Sequence, residues 1–202
     1  AASDVYKRQT LHVPYTTNVE HPTNNLIDAN FLSKLCKDTV IINTSRGGVV
    51  SEKDFLHSKD ISIISDVFEN EPDISPKFCE KNEYFTPHIA GHSQFCRYAM
   101  TKMAFYNVVN FLNIEVEEPQ SILDNKEESF SKETQNDFKK FLFPVSLILK
   151  TYDFTLDNFE PNLFKKIRDD YNNRIGFSQV SIKGCIDSKF KKSLEILGFK
   201  VI

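Results

Sequence analysis

The sequence predicts an α/β fold built on a parallel sheet with helices on both faces. Over the first 113 residues, strand-like and helix-like segments alternate, which is typical of a doubly wound sheet. Residues 39–45 form an unbroken run rich in β-branched side chains, as in a parallel strand that is covered on both faces. The first part of the chain therefore has the pattern of half of a doubly wound sheet, and a smaller α/β unit follows it.

Each element of the first part is predicted from its own local pattern. Apolar β-rich runs predict strands at residues 10–14, 39–45, 61–68 and 84–89. Asp28 and Ser51 are suited to cap helices at residues 28–36 and 52–57. After Gly91 a long amphipathic helix is predicted to run to residue 112. Its apolar stripe consists of Met100, Met103, Ala104, Val108 and Phe111.

The second part begins where the composition changes. Residues 114–132 are rich in Glu, Pro, Asn, Ser and Lys, which predicts a linker. Beyond it, helices are predicted at residues 133–142, 161–173 and 188–197, and strands at residues 146–151, 177–183 and 199–202. Many of the 18 phenylalanines fall here, and they fit either a small packed core or a dimer interface.

Composition excludes several classes of function. The net charge of −3 and the absence of a basic stripe argue against a nucleic-acid-binding protein. No apolar run approaches the roughly 18 residues that a membrane helix needs, and residues 1–9 do not resemble a secretory signal. The four cysteines are scattered, so neither a disulfide framework nor a metal site is expected. A reduced cytoplasmic protein is the expectation.

Candidate site residues follow the predicted strands. Arg46 comes directly after a buried strand and precedes two glycines, which places a guanidinium where ligands bind in open α/β sheets. A guanidinium can bind a carboxylate through two hydrogen bonds, although a surface arginine after a turn would give the same pattern. Asp66 and Glu71 follow the next strand, where Asp66 could accept hydrogen bonds and Glu71 could pair with a histidine; an acidic capping loop is the alternative.

A histidine precedes the long helix. His88 can exchange a proton near neutral pH, and a neighbouring carboxylate would raise its pKa. Residues 91–94 enter the helix and offer free backbone N–H groups to a ligand. A lone histidine here would more often be structural, and the segment His12-Val13-Pro14 is a weak motif by itself.

The order of these motifs resembles the D-2-hydroxyacid dehydrogenase family over residues 10–113. The resemblance implies a Rossmann domain with NAD as cofactor. It also implies that Arg46 binds the substrate carboxylate, that Glu71 orients His88, and that His88 exchanges the hydroxyl proton. Three further residues match cofactor contacts of the family: Val13, Asp66 and Gly91.

A narrower resemblance concerns the branch of this family that oxidises 4-phospho-D-erythronate. Residues 88–92, His-Ile-Ala-Gly-His, resemble its signature, in which an aromatic residue in place of His92 contacts the substrate. Residues 143–202 resemble the C-terminal dimerisation domain of that branch. We therefore expect a small phosphorylated 2-hydroxy acid as substrate and a homodimer formed through residues 133–202, with no nucleic-acid or membrane partner.

The sequence contains no Gly-x-Gly-x-x-Gly loop, which the family places ahead of the matched segment. We expect the chain to begin inside the NAD-binding domain, with residues 1–9 foreign to it. By itself it is expected to bind NAD poorly, to lack activity and to leave a sheet edge uncovered. Two other functions stay open: a dehydrogenase of another 2-hydroxy acid such as phosphoglycerate, and an NAD-sensing protein without turnover.

Overall fold

A computed structural model of the chain describes residues 8–117, 123–141, 143–153, 159–171 and 174–202. The chain divides into two compact units. The first unit consists of Ala1–Ala90 with Asn158–Asp170, and the second of Gly91–Asp157 with Tyr171–Ile202. The long helix that starts after Gly91 thus belongs with the second unit, whereas the sequence placed the boundary after residue 113.

The first unit is built on a parallel sheet of four strands in sequence order. Its strands are β1 (Arg8–Leu11), β2 (Thr39–Asn43), β3 (Ile61–Ser65) and β4 (Tyr84–Phe85). The connecting helices are α1 (Ala29–Leu32), α2 (Glu52–His57) and α3 (Pro76–Lys81). All strand pairs are parallel, so the four carboxyl ends lie at one edge, called the carboxyl edge below. The predicted Rossmann-like α/β fold is confirmed.

Apolar side chains of the central strands form the core of this unit. Ile41 of β2 and Ile63 of β3 are fully buried, and they pack with Phe55 of α2 and Phe78 of α3. Burying a side chain of this size contributes about 1.5–3 kcal/mol. The two predicted caps are present, since Asp28 accepts a hydrogen bond from the Phe31 N–H and Ser51 accepts one from the Asp54 N–H.

All four predicted strands of this sheet are longer than the observed ones. β1 covers Arg8–Leu11 instead of residues 10–14, and β2 ends at Asn43 instead of residue 45. β3 ends at Ser65 instead of residue 68, because the Asp66 carboxylate there bonds the segment after β4. β4 covers Tyr84–Phe85 instead of residues 84–89, because Pro87 has no N–H for a ladder and the Ile89 N–H donates to Asp66. The bonds to the Asp66 carboxylate are tertiary contacts that a periodicity pattern does not contain.

The second unit carries a smaller parallel sheet in the order β5-β6-β7. The strands are β5 (Lys126–Ser129), β6 (Val180–Lys183) and β7 (Lys200–Val201). Its helices are α4 (Gln94–Leu112), α5 (Lys132–Phe141), α6 (Val145–Thr151) and α8 (Ser188–Ile196), while α7 (Phe164–Asp170) belongs to the first unit. Short 3-10 turns occur at Pro161–Leu163 and Phe177–Gln179.

Three predictions about elements of the second unit were wrong. Residues 146–151 are helical in α6, not a strand, and residues 126–129 of the predicted linker form β5. The apolar stripe of α4 is not its buried side: Val109 is the buried residue of that helix, whereas Met103 and Phe111 are 66% and 88% exposed. The described residues contain no helix that is long and apolar enough to cross a membrane.

Candidate active site

Arg46 lies in a turn that begins where β2 reaches the carboxyl edge. Buried Asn43, the last residue of β2, organises this turn: its Oδ1 accepts hydrogen bonds from the Ser45 backbone N–H at 3.2 Å and from the Ser45 hydroxyl at 2.8 Å. Its amide group also donates to the Arg46 carbonyl at 3.3 Å. The Arg46 side chain is exposed, and it donates to the Ser45 carbonyl at 2.7 Å. The turn therefore holds a solvent-facing guanidinium at the carboxyl edge.

Gly47 allows the loop after β3 to pack against this turn. A Cβ atom at Gly47 would lie 1.7 Å from the Phe68 carbonyl oxygen, so no other residue fits there without moving the backbone. The loop of residues 66–71 carries Asp66 and Glu71. The close approach therefore brings the loop that bears the carboxylates next to the turn that bears Arg46.

Glu71 and His88 form a hydrogen-bonded pair at the carboxyl edge. His88 Nδ1 donates to Glu71 Oε2 at 2.7 Å, and the Phe68 backbone N–H donates to Glu71 Oε1 at 2.9 Å. The side chains of His88 and Glu71 are 29% and 21% exposed, so the pair is shielded but reachable. In the neutral imidazole with its proton on Nδ1, Nε2 keeps its lone pair.

The surroundings of Glu71 favour its ionised form. Burial alone would raise the pKa of this carboxyl, but the hydrogen bonds from His88 and the Phe68 N–H act in the opposite direction. Together with the charges of His88 and Arg168, they hold the pKa of Glu71 below its ordinary value. Glu71 is therefore a carboxylate at neutral pH, and it favours a positive charge on the imidazole.

Asp66 is almost fully buried, and its carboxylate holds the segment that carries His88. Oδ1 accepts hydrogen bonds from the Thr86 hydroxyl at 2.5 Å and the Ile89 N–H at 2.7 Å, while Oδ2 accepts one from the Ala90 N–H at 2.9 Å. These bonds flank His88, whose φ of 56° lies in the left-handed region that few residues other than glycine adopt. The sequence predicted that Asp66 accepts hydrogen bonds, either from a ligand or as part of an acidic capping loop, but it did not identify the segment around His88 as the donor.

A cavity of about 440 Å³ opens beside Arg46. Its walls come from the segment after β1 and the turn after β2: His12, Val13, Pro14, Tyr15, Thr44, Ser45 and Arg46. Val13 is half-buried and packs on the core of the first unit. The segment His12-Val13-Pro14, a weak motif by itself, thus lies in the same cavity wall as Arg46.

The remaining two predicted site residues belong to the second unit. Gly91 is exposed, and a Cβ atom there would meet nothing within 4 Å. His92 is half-buried. Their assigned contacts with cofactor and substrate stay predictions, and the described residues contain no cluster of His, Cys, Asp and Glu that could hold a metal ion.

Sequence reasoning assigned no site role to Asn43, Thr86 or Glu52, and it left Arg168 open between a surface position and a substrate contact. An asparagine that ends an apolar strand is a detectable signal, because a buried amide must find partners. Glu52 is 7% exposed and exchanges hydrogen bonds with Glu69: each backbone N–H donates to the other residue's carboxylate at 2.9 Å. For Arg168, no local pattern could show that it lies close enough to influence Glu71.

The residues at the carboxyl edge fit the nicotinamide end of NAD. An ionised carboxylate has about four lone-pair sites. Asp66 uses three of them within the protein, which leaves capacity for one amide N–H. The cavity lined by Val13 provides a partly apolar wall beside Arg46. The cofactor would thus lie at the carboxyl ends of parallel strands, the usual ligand position in open α/β sheets.

Comparisons with known proteins match this arrangement. The model of the family described as "D-isomer specific 2-hydroxyacid dehydrogenase, NAD binding domain" matches residues 6–90. The erythronate-4-phosphate dehydrogenase of Wigglesworthia glossinidia brevipalpis is 31% identical over 201 residues, which are 94% of this chain and 53% of that protein. That of Psychrobacter sp. (strain PRwf-1) is 43% identical over 111 residues, 52% of this chain and 29% of the relative.

Among solved structures, the D-mandelate dehydrogenase of Rhodotorula graminis is similar with a TM-score of 0.48 and 26% identity, over 56% of this chain and 36% of that one. The chain spans about half the length of the curated relative that matches nearly all of it. The strand-end motifs, the Glu71–His88 pair and the family match agree with one another. Residues 6–90 are thus similar to the NAD-binding domain of the D-isomer specific 2-hydroxyacid dehydrogenase family, and most of the chain is similar to a curated erythronate-4-phosphate dehydrogenase.

Proposed function

We propose that the protein carrying this chain oxidises 4-phospho-D-erythronate with NAD, giving 2-oxo-3-hydroxy-4-phosphobutanoate for the synthesis of pyridoxal phosphate. The Glu71–His88 hydrogen bond of 2.7 Å at the carboxyl edge is the observation that carries the proposal. It pairs an imidazole, which can accept a proton, with a carboxylate that stabilises its protonated form. The choice of substrate is supported by the names of the relatives that match most of the chain.

His88 acts as the general base in this proposal. With Nδ1 donating to Glu71, the lone pair of Nε2 accepts the proton of the C2 hydroxyl as the carbon–hydrogen bond at C2 breaks. The resulting imidazolium lies next to an ionised carboxylate, which lowers its free energy. Positioned base catalysis of this type contributes roughly 10²–10⁴-fold to the rate.

Arg46 orients the acid. Its guanidinium binds the C1 carboxylate through two hydrogen bonds, which fixes C2 for reaction. The turn organised by Asn43 keeps the Arg46 backbone in place. NAD, when bound, supplies the hydride acceptor. Val13, Asp66 and Gly91 are the proposed cofactor contacts, and His92 is the proposed second substrate contact.

The proposed assembly is a cytoplasmic homodimer formed through residues 133–202. All four cysteines are free, as is usual for a protein of a reducing compartment. Light scattering of the protein during size-exclusion chromatography would measure the assembly state. A monomer at micromolar concentration would contradict the proposed dimer without affecting the proposed chemistry.

The test of the proposed reaction is NADH formation by the gene product that carries this chain. We expect turnover with 4-phospho-D-erythronate and none with 3-phosphoglycerate. His88→Gln should lower kcat roughly 10²–10⁴-fold, because the base is lost while the fold is kept. A His57→Gln variant is the matched control, since His57 is exposed at the end of α2.

The other candidate functions give different results in the same assay. Turnover of phosphoglycerate alone would keep the mechanism and replace the substrate. Binding of NAD without turnover of either acid would favour a sensor. Full activity of His88→Gln would contradict the assigned base.

A further inference from the structure

The segment Asn158–Asp170 comes from the C-terminal half of the sequence but belongs to the first unit. Phe164 of α7 is 3% exposed and lies in the same core cluster as the sheet residues. Its ring meets the Phe68 ring edge to face at 5.9 Å, and Phe159 contacts Phe85 at 6.1 Å. The first contact attaches α7 to the loop after β3, and the second attaches the segment before α7 to the end of β4.

Arg168 lies on the attached side of α7. Residues four apart share one face of a helix, so Arg168 follows Phe164 on the side that meets the loop. Burial along α7 agrees: Phe164 is buried and Ile167 and Arg168 are half-buried, whereas Lys165 and Lys166 are exposed. The Arg168 guanidinium is therefore directed toward the loop that carries Glu71.

Arg168 makes no direct ion pair in the described part of the chain and keeps an unused hydrogen-bond donor. The Nε atom of Arg168 is buried and has no hydrogen-bond partner, and the side chain forms no ion pair with any residue in the described part of the chain. Glu71 is near enough for the charge of Arg168 to lower its pKa. Yet both Glu71 oxygens already accept hydrogen bonds, from the Phe68 N–H and from His88.

A half-buried guanidinium offers a planar array of donors that suits a phosphate or a carboxylate. The substrate of the proposed function has an anionic group at each end of a four-carbon chain. If Arg46 binds the C1 carboxylate and C2 faces His88, the phosphate must lie a few bonds beyond the imidazole. Arg168 is the cation whose charge reaches Glu71, the hydrogen-bond partner of that imidazole.

We propose that Arg168 binds the phosphate group of the substrate, and that α7 thereby selects phosphorylated 2-hydroxy acids. The inference rests on the proposed function. It assigns to the C-terminal half of the sequence a part in substrate recognition, in addition to any part in assembly.

The experiment compares 4-phospho-D-erythronate with D-erythronate in binding and in turnover, using the gene product that carries this chain. Arg168→Met should weaken binding of the phosphorylated acid and raise its KM by roughly 10- to 100-fold, the loss expected for a charge-assisted bond pair. Binding of D-erythronate should stay unchanged. Arg168→Lys, which keeps the charge but not the planar fork, should recover part of the loss.

Lys165→Met is the matched control, because it removes the same charge from an exposed position on the same helix. Thermal midpoints of all variants establish that each is folded. An equal loss for both acids, or no loss for either, would overturn the role of Arg168. Turnover of the phosphorylated acid by the unaltered protein tests the proposed function separately, so the two failures are distinguishable.

Discussion

Two glutamates near the carboxyl edge, Glu71 and Glu52, show opposite pKa shifts. Burial raises the pKa of both carboxyls, but the hydrogen bonds to Glu71 outweigh burial there. For Glu52, burial and the nearby charges of Glu69 and Glu71 outweigh one backbone hydrogen bond, so its pKa lies above the ordinary value. The two residues therefore affect stability at opposite ends of the pH range.

Replacing Glu52 by glutamine should stabilise the protein at neutral pH. A raised folded-state pKa contributes stability below the unfolded pKa of about 4.3, and this contribution is lost as the pH rises through the folded value. The glutamine side chain would still accept from the Glu69 N–H but would carry no buried charge. Thermal midpoints should thus favour Glu52→Gln at pH 7 and converge with the parent at pH 4. A variant that is less stable at pH 7 would show that the hydrogen bond matters more than the charge.

The cysteines should differ widely in reactivity. Burial is the main reason that the pKa of the Cys79 thiol rises to about 12, whereas Cys36 and Cys185 are exposed. At pH 8 a thiol with that pKa is roughly 10⁻⁴ ionised. Mass spectrometry after iodoacetamide treatment should find Cys36 and Cys185 modified and Cys79 unmodified until denaturant is added. Early modification of Cys79 in the native protein would contradict its burial.

The catalytic motifs could be predicted from the sequence because each is local. Arg46, Glu71 and His88 all follow apolar runs, and strand ends of a parallel sheet share one edge. The environment of these residues could not be predicted. Arg168 influences Glu71 across almost a hundred residues of sequence, and the donors to Asp66 come from a segment whose strand pattern predicted a ladder.

At the scale of secondary structure, the helices of the first unit depend on specific bonds at their ends. α2 ends at His57, and its last carbonyls accept hydrogen bonds from a lysine of α3. The Lys81 ammonium group donates to the carbonyls of Phe55 at 2.5 Å, Leu56 at 3.0 Å and Ser58 at 2.7 Å. It also lies 4.8 Å from the centre of the Phe55 ring. One side chain thus satisfies the end of α2 and fixes the position of α3.

Lys81→Met should lower the free energy of unfolding by about 1.5–3 kcal/mol, because hydrogen bonds from a charged group are lost. Urea unfolding followed by circular dichroism measures the change. Lys77→Met is the control, since Lys77 is exposed on the same helix. Equal effects of the two substitutions would mean that the carbonyl bonds contribute nothing specific.

The strand predicted at residues 146–151 is a helix, because a short apolar run does not distinguish the two. Residues 146–151 read Ser-Leu-Ile-Leu-Lys-Thr, a pattern that suits a strand or a buried helix equally. Two features outside the run decide for the helix: Pro144 stands at its N-cap, and the Ser146 N–H donates to Asp137 of α5 at 2.6 Å. The second of these is a tertiary contact. α2, which has its own cap, was predicted with the correct bounds, whereas the capped α1 ends at Leu32 instead of residue 36.

At the scale of the whole molecule, the two units are not consecutive in sequence. The first unit is completed by Asn158–Asp170, although residues 91–157 separate that segment from the sheet. Composition predicts a domain boundary where polar residues accumulate. It cannot show that a later segment of the chain packs against the first unit. The stability of the sheet therefore depends on a helix in the distant C-terminal half.

Phe164→Ala should destabilise the first unit by about 3–5 kcal/mol, as expected for removing a buried phenyl ring. Hydrogen exchange should become faster in β2 and β3, which belong to the same unit as Phe164. Leu163→Ala, at a position that is 37% exposed, is the control and should have a much smaller effect. Unchanged exchange in the sheet would show that the Phe164 contact is dispensable.

The left-handed backbone of His88 has a consequence for how this protein tolerates mutation. In the described part of the chain, the other non-glycine residues with positive φ are Asn25, Asp38, Asp60 and Asn113, and asparagine, aspartate and histidine are the types enriched there. Glycine avoids the steric penalty, so His88→Gly should be more stable than His88→Ala by about 1 kcal/mol. Both variants would lack the proposed base. Thermal midpoints of variants at position 88 should thus rank glycine above alanine, although neither variant turns over substrate. Stability and catalysis therefore favour different residues at this one position.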